Sequence, residues 1–339
     1  MGLASAAVAA GAAAGAVVAA GGQTAPGRPV LRVVASIPLP GDSSRFDYAS
    51  LDARRGLLFA AHLGASDVLE ININTGRVVR VIRHLPQVHG VLVVPALHRV
   101  YATATGVNKV ARIDEDSGQI VGMSPTGDYP DGLAYDPANG TIWTTNEAGG
   151  SETIIDAGTG ASRGSVHLSG EAGNVAYDPV SRRMLADVQT RNQLAVINPA
   201  TRAITRRVPL PGCDHDHGLT LDSLDRLAFI ACDGNATLLT LDLTTWQITS
   251  KATVGAQPDV IAYDPHAGRL YVAAESGPVT VLTRHRRRLD VTGADNLAFD
   301  AHVVAVDPRT GRSYYPVPQA HDGRPALLVC QLQQAPPTG

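Results

Sequence analysis

Short apolar stretches, separated by Gly, Pro, Asn and Asp, run along nearly the whole chain, and they repeat. Residues 132–137 (Gly-Leu-Ala-Tyr-Asp-Pro) read as a short strand ending in a turn. Thr141–Glu147 alternates and is rich in β-formers, and Glu152–Asp156 is a third strand. Ala161–Leu168 is a fourth, after the turn Ala157–Gly160. The same order recurs at Thr237–Asp242 and Gly268–Glu275. The first-strand motif stands at Tyr48–Asp52, Gly90–Pro95, Gly132–Pro137, Asn174–Pro179, Gly218–Asp222, Val260–Pro265 and Val303–Pro308. A repeat of about 40–45 residues with four strands per unit predicts an all-β, seven-bladed β-propeller with four-stranded blades.

The seventh unit holds only three strands, His302–Pro308, Ser313–Val317 and Ala326–Leu332. Leu31–Leu39 is expected to supply the missing one. A last blade completed by an N-terminal strand closes the ring and removes exposed strand edges. The Asp-Pro pairs at 136–137, 178–179, 264–265 and 307–308 are turn chemistry, because Pro presets φ and the Asp side chain closes the turn.

One position just before each first strand repeats every 42–44 residues: Asp47, His89, Asp131, Gly173, His217, Asp259 and His302. The first strand of each blade lines the central channel, so this column forms a ring at the channel mouth. The histidines come from blades two, five and seven, as near to threefold as seven blades permit. Three imidazoles converging on an axis suit Zn²⁺ or another first-row metal such as Mn or Fe. Asp47, Asp131 and Asp259 lie beside these histidines. They either accept the second ring N–H of a histidine or ligate directly, which favours a harder ion such as Ca²⁺. The bland readings are channel-lining histidines and aspartates that cap backbone N–H groups. Gly173 leaves one sector of the ring open, where a substrate is expected to enter.

A second column follows sixteen residues later: Leu63, Thr105, Glu147, Gln189, Asp233, Glu275 and Pro318. Glu147, Asp233 and Glu275, with His62 and Asn146 one residue earlier, are expected to form an outer wall of the mouth. A carboxylate there is a candidate general acid or base. His215 and Asp216 are expected further out, at the rim. The remaining histidines, at 84, 98, 167, 266, 285 and 321, show no pattern and read as surface.

Composition adds limits. The repeat runs almost end to end, so one domain over residues 30–333 accounts for the chain. A net charge of −3 gives no reason to expect nucleic acid or an anionic membrane as partner. The basic run Arg284–Arg288 reads as a solvated hairpin tip. Residues 1–22 are almost wholly Ala, Gly and Val. They resemble the apolar core of a secretory signal, although no basic residue follows Met1. The other reading is a flexible Ala/Gly leader. Residues 23–29 then form a linker and 334–339 a disordered tail. No other stretch is long and apolar enough to span a bilayer. Cys213 precedes the first strand of blade five and Cys232 ends its second. Adjacent antiparallel strands bring these ends together, so the pair is either a disulfide or two buried thiols. A bridge fits an extracytoplasmic protein, periplasmic or secreted. Cys330 reads as a core thiol.

Two resemblances carry further expectations. Tyr129–Pro137 followed by Thr-Ile-Trp-Thr-Thr-Asn, and Asp259–Pro265 followed by Arg-Leu-Tyr-Val-Ala, resemble the YVTN/YncE-like seven-bladed propellers over about residues 31–332. That implies the fold and a place outside the cytoplasm, but no particular reaction. His217-Gly-Leu-Thr and His89-Gly-Val, each with a residue of the second column after it, resemble elements of the virginiamycin B lyase propellers. In those a His and a Glu with a divalent cation perform an elimination, which implies His217 with Glu275 or Asp233 as acid and base. No copy here carries the complete Trp-Phe-Thr-Glu element of that family. Metal-dependent lyases and lactonases on this scaffold add a fold-level analogy only.

The expectation is therefore an exported propeller with a divalent metal at the channel mouth, acting on a small substrate as a lyase or hydrolase. The metal candidates are His89, His217, His302, Asp47, Asp131 and Asp259. The catalytic candidates are His217, Glu275, Asp233 and Glu147. The competing expectation is a non-catalytic propeller that binds a small ligand or a protein at the same face.

Overall fold

The computed structural model describes residues 29–333. The expected leader, its linker up to residue 28 and the expected tail at 334–339 lie outside the described residues. Twenty-eight strands form seven four-stranded antiparallel sheets arranged as propeller blades. Blades one to six each run through four consecutive strands. In blade seven the order is Leu31–Pro38, Ala326–Leu332, Arg312–Val317 and Ala305–Asp307. The N-terminal strand is its outermost member, pairing from Leu31 with Leu332 to Pro38 with Ala326.

The burial along each blade follows from its neighbours. In blade five the second strand, Leu227–Cys232, and the third, Thr237–Asp242, are buried at every position. Both faces of these strands pack on adjacent blades, so the run is continuously buried instead of alternating. The outermost strand, Gln247–Thr253, is mostly exposed or half-buried and polar. The core is correspondingly divided into seven clusters, each sandwiched between two blades. The closing interface is one of them: Ile37 and Leu39 join Leu58, Leu69, Tyr314 and Leu327 between blades seven and one.

The first-strand aspartates act as the sequence predicted. Asp52 Oδ1 accepts the backbone N–H of Arg54 and Arg55, at 2.8 and 3.2 Å. Asp136 and Asp264 do the same for the residues two and three places on. The basic run is more than a solvated tip. Arg284 pairs with Asp222 and Asp225 at 3.3 and 2.7 Å, and Arg287 with Asp242 at 2.7 Å, tying blade six to blade five. Cys213 and Cys232 form a disulfide with a Cα–Cα distance of 5.4 Å, and Cys330 is a buried free thiol. No helix among the described residues is long and apolar enough to cross a membrane.

Candidate functional site at the channel mouth

Five of the seven ring residues sit on irregularities of the innermost strands, while Asp47 and His302 lie just before theirs, Ala49–Asp52 and Ala305–Asp307. The ladder shifts between Val88 and Val91, Pro130 and Leu133, Ala172 and Val175, Asp216 and Gly218, and Pro258 and Ile261. Each shift brackets a ring residue. A bulge leaves that residue unpaired and re-aims its side chain. The glycine that often follows has its own cause. A Cβ at Gly90 would collide with the Asp131 carbonyl, and one at Gly218 with that of Asp259. Successive bulges nest backbone on backbone around the axis.

The result is a cavity of about 460 Å³ at the mouth. Six carboxyl groups line it, those of Asp47, Asp131, Glu147, Asp233, Asp259 and Glu275, against one arginine, Arg45. Such a wall draws cations. Tyr48 forms the floor, because it borders both this cavity and a second one of about 380 Å³ in the channel beneath.

Among the described residues, one group has the ligand spacing for a metal ion. Asp47, Asp259 and His302 are all buried and offer ligand atoms within 4.8 Å of one another. His302 Nε2 has no hydrogen-bond partner and stands 3.6 Å from Asp47 Oδ1 and 3.8 Å from Asp259 Oδ2. Its other nitrogen, Nδ1, is held by Asp300, 2.9 Å from Oδ1 and 3.1 Å from the carbonyl oxygen. That fixes the ring with Nε2 facing the two carboxylates, the orientation a metal-ligating imidazole takes. Burial would lower the His302 pKa, but Asp300 and Asp47 outweigh it and hold the ring at about 10. Without a metal it is an imidazolium facing two carboxylates. An orphaned buried nitrogen and two buried carboxylates, all aimed at one point, fit a divalent cation.

A second set of groups forms a belt around the mouth. His217 Nε2 lies 3.2 Å from Asp259 Oδ1, and its Nδ1 lies 3.3 Å from Gln189 Oε1. Gln189 Nε2 in turn donates to Glu147 at 3.4 Å. Two acceptors at the two ring nitrogens suit a doubly protonated ring. Burial opposes that charge, but the bond to Asp259 prevails and raises His217 to about 10. Burial likewise opposes ionisation of Asp259, yet His217 holds it down at about 2. Tyr48 Oη donates to Asp131 Oδ2 at 3.2 Å, accepts from Asn174 Nδ2 at 2.8 Å and lies 3.5 Å from His217 Nε2. Burial, then the charge of Asp47, raises Asp131 to about 7. Burial, followed by Asp131, raises Tyr48 well above the usual phenol range.

Several expectations change here. The three histidines do not converge. His89 turns to the rim, with Nε2 3.1 Å from Tyr129 Oη and Nδ1 2.9 Å from the Gln87 carbonyl. His217 serves Asp259, and Asp131 serves Tyr48. The sector at Gly173 is closed. A Cβ there would lie 2.7 Å from the Asp216 carbonyl oxygen and 2.9 Å from Asp187 Cβ, so glycine marks a close approach rather than an opening. Glu147, Asp233, Glu275 and Gln189 do line the mouth, and His215 joins them. His62 and Asn146 do not. His62 is buried and stacked on Phe46 at 4.1 Å, while Asn146 bonds Gly127, Ser151 and Thr153 inside the blade. Asp216 is not at the rim but buried beside Asp187, with Oδ2 accepting the Val188 N–H at 3.0 Å. Burial lifts Asp216 to about 7, against backbone hydrogen bonds that lower it, and burial with the charge of Asp216 pushes Asp187 well up.

Two central residues, Arg45 and Tyr48, escaped the sequence reading. Arg45 Nη2 lies 3.0 Å from Asp47 Oδ1 and 3.4 Å from Asp259 Oδ2, and Nη1 lies 2.6 Å from Glu275. For Tyr48 a signal existed. The place after the ring position holds Gly90, Gly132, Gly218, Val260 and Val303, and only Tyr48 and Asn174 are polar there. Those two exceptions meet across the axis. Nothing in the sequence around Arg45 says which carboxylates it reaches.

Comparison with known proteins places the fold and nothing finer. No protein-family model matches the chain, and no curated protein matches it in sequence. Solved structures do match in shape. Streptogramin B lyase is similar with a TM-score of 0.74 at 14% identity, covering 90% of this chain and 98% of that one. Kuenenia stuttgartiensis hydrazine synthase gives 0.71 at 14%, over 80% of this chain and 92% of that one. The WD40 repeats of RRP9 give 0.75 at 11%, over 91% and 99%. At such identities the likeness is one of fold alone.

Proposed function

We propose that the channel mouth holds a divalent cation on Asp47, Asp259 and His302 and acts on a small substrate as a lyase or hydrolase. The observation that carries this is His302 Nε2, buried without a partner and aimed at two buried carboxylate oxygens. A cation bound there would polarise a carbonyl or lower the pKa of a water. The chain's own groups supply proton transfer. His217 keeps its proton at neutral pH, whereas Asp131, held at about 7, exchanges one near neutrality. Two groups whose surroundings push their pKa values apart make an acid and base pair. Glu147, Asp233 and Glu275 stand on the outer wall as further acid or base candidates. The shape likeness to a streptogramin lyase and the sequence resemblance to lyase propellers agree with this reading without specifying the substrate. The Cys213–Cys232 bridge supports an extracytoplasmic location, since such bridges persist in oxidising compartments.

One observation favours the second reading, a non-catalytic propeller that binds a ligand or protein. Arg45 already offsets the charge of Asp47 and Asp259. Metal content decides between the two. Protein purified without a metal tag or chelator is analysed for Zn, Mn, Fe and Ca, then titrated with MnCl₂, ZnCl₂ and CaCl₂ by calorimetry. About one equivalent, lost in His302→Ala with the fold intact by circular dichroism, supports the metal reading. No stoichiometric metal under any of these conditions overturns it in favour of a binding propeller.

A further inference from the structure

The Arg45 side chain lies where a cation would lie. Its Nη2 contacts Asp47 Oδ1 and Asp259 Oδ2, the same two oxygens that His302 Nε2 faces. A divalent ion bound to those oxygens and the guanidinium cannot both occupy the space between them, and two positive groups at that distance repel. Arg45 also has a second anchor. Its Nη1 bonds Glu275 at 2.6 Å, nearer the surface, where the Glu275 side chain is 33% exposed against 4% for Asp47 and 11% for Asp259. The arginine itself is 36% exposed, so it has room to turn toward the rim while Glu275 keeps hold of it.

We infer that Arg45 is a displaceable internal occupant of the cation site, so that metal binding and release of Arg45 toward Glu275 are one event. This rests on the metal reading above. In the metal-free protein Arg45, together with the His217 and His302 rings, offsets the charge of two buried carboxylates. A cation gains the site only by replacing it. Affinity for metal is therefore lower than the ligand set alone would give, and a weakly attracted ion is excluded. Removing the side chain exposes both sides of this exchange. The metal-free fold loses the guanidinium and keeps only the His217 and His302 rings beside these carboxylates, and the metal no longer competes with Arg45.

The test is calorimetric titration with MnCl₂ alone, and thermal melts with and without MnCl₂, on wild type, Arg45→Met, Arg45→Lys and His302→Ala. Arg45→Met is expected to bind Mn²⁺ at least about tenfold tighter than wild type, equivalent to roughly 1.4 kcal/mol. It should also melt lower without metal and gain more from metal than wild type does. Arg45→Lys keeps the charge but loses the fork that spans both carboxylates and Glu275. It should fall between the two, and it carries the test should Arg45→Met not fold. If the arginine variants bind no tighter than wild type while His302→Ala abolishes binding, this inference fails and the metal site stands. If no protein in the set binds Mn²⁺, and none binds Zn²⁺ or Ca²⁺ in the same titration, both fall.

Discussion

Removing the Cys213–Cys232 bridge by the double substitution to alanine is expected to cost the protein about 3 kcal/mol. The bridge joins residues 19 apart in sequence. In the chain-entropy model a closed loop of about 20 residues removes roughly 11 cal/mol/K from the unfolded state, or about 3.3 kcal/mol at 25 °C. For a chain of this size that corresponds to a fall in Tm on the order of 6 °C. The loss should concentrate in blade five, where Cys213 precedes the turn carrying His215 and His217, and Cys232 precedes Asp233. The backbone bond from Asp233 N to the His215 carbonyl, 2.9 Å long, lies just beyond the bridge. The assay is urea unfolding of wild type and C213A/C232A, with wild type repeated in dithiothreitol. Thiol titration of the denatured, unreduced protein completes it, and one free thiol is expected, from Cys330. Three titratable thiols, or equal stability with and without reductant, would refute the reasoning.

Glu152 is buried with neither carboxylate oxygen partnered, and burial raises its pKa well above 4.5. Below the unfolded pKa both states hold the proton, so Glu152→Gln should be nearly neutral there. As pH rises above it, the unfolded chain ionises first and wild type loses up to about 1.4 kcal/mol per pH unit, until the folded pKa is passed. Glu152→Gln escapes that loss, so parallel urea midpoints for the two proteins between pH 4.5 and 7.5 would contradict the assignment. Gly90→Ala drives a Cβ into the Asp131 backbone and should cost about 3 kcal/mol, the upper end for overpacking, because backbone cannot move aside as a side chain can. A urea midpoint within error of wild type would show that the bulges are not nested this tightly. Tyr48→Phe removes the donor to Asp131 and the acceptor for Asn174. It should cost about 1–3 kcal/mol for the groups left unpaired, and Asn174→Val in the same background should recover part of this in chemical denaturation.

How much of this was legible beforehand divides by distance along the chain. The blades, their strand order, the closing strand, the Asx turns and the Cys213–Cys232 pair are local or periodic features. Strand alternation, turn residues and a repeat of fixed length express them directly, because each blade packs only on its two neighbours. The ring column was legible for the same reason, since equivalent positions in equivalent blades must share one end of the channel. Which members of the column cooperate was not. Arg45 reaches Asp259 across 214 residues and Glu275 across 230, and no local pattern encodes where a long flexible side chain ends. Gly173 shows the same limit. In sequence it is a gap in the ring, and in space it is where Asp187 and the backbone of Asp216 close in. His62 belongs to the same case, since one step along a strand turns a side chain from the mouth to the inter-blade core. The sequence by itself therefore determined the architecture and the two columns of residues that face the mouth, though not Arg45 or Tyr48. Only the tertiary structure decided that Asp47, Asp259 and His302 converge, that His89 does not, and that Arg45 lies among the carboxylates, because those outcomes depend on side-chain reach and ring closure to within an ångström.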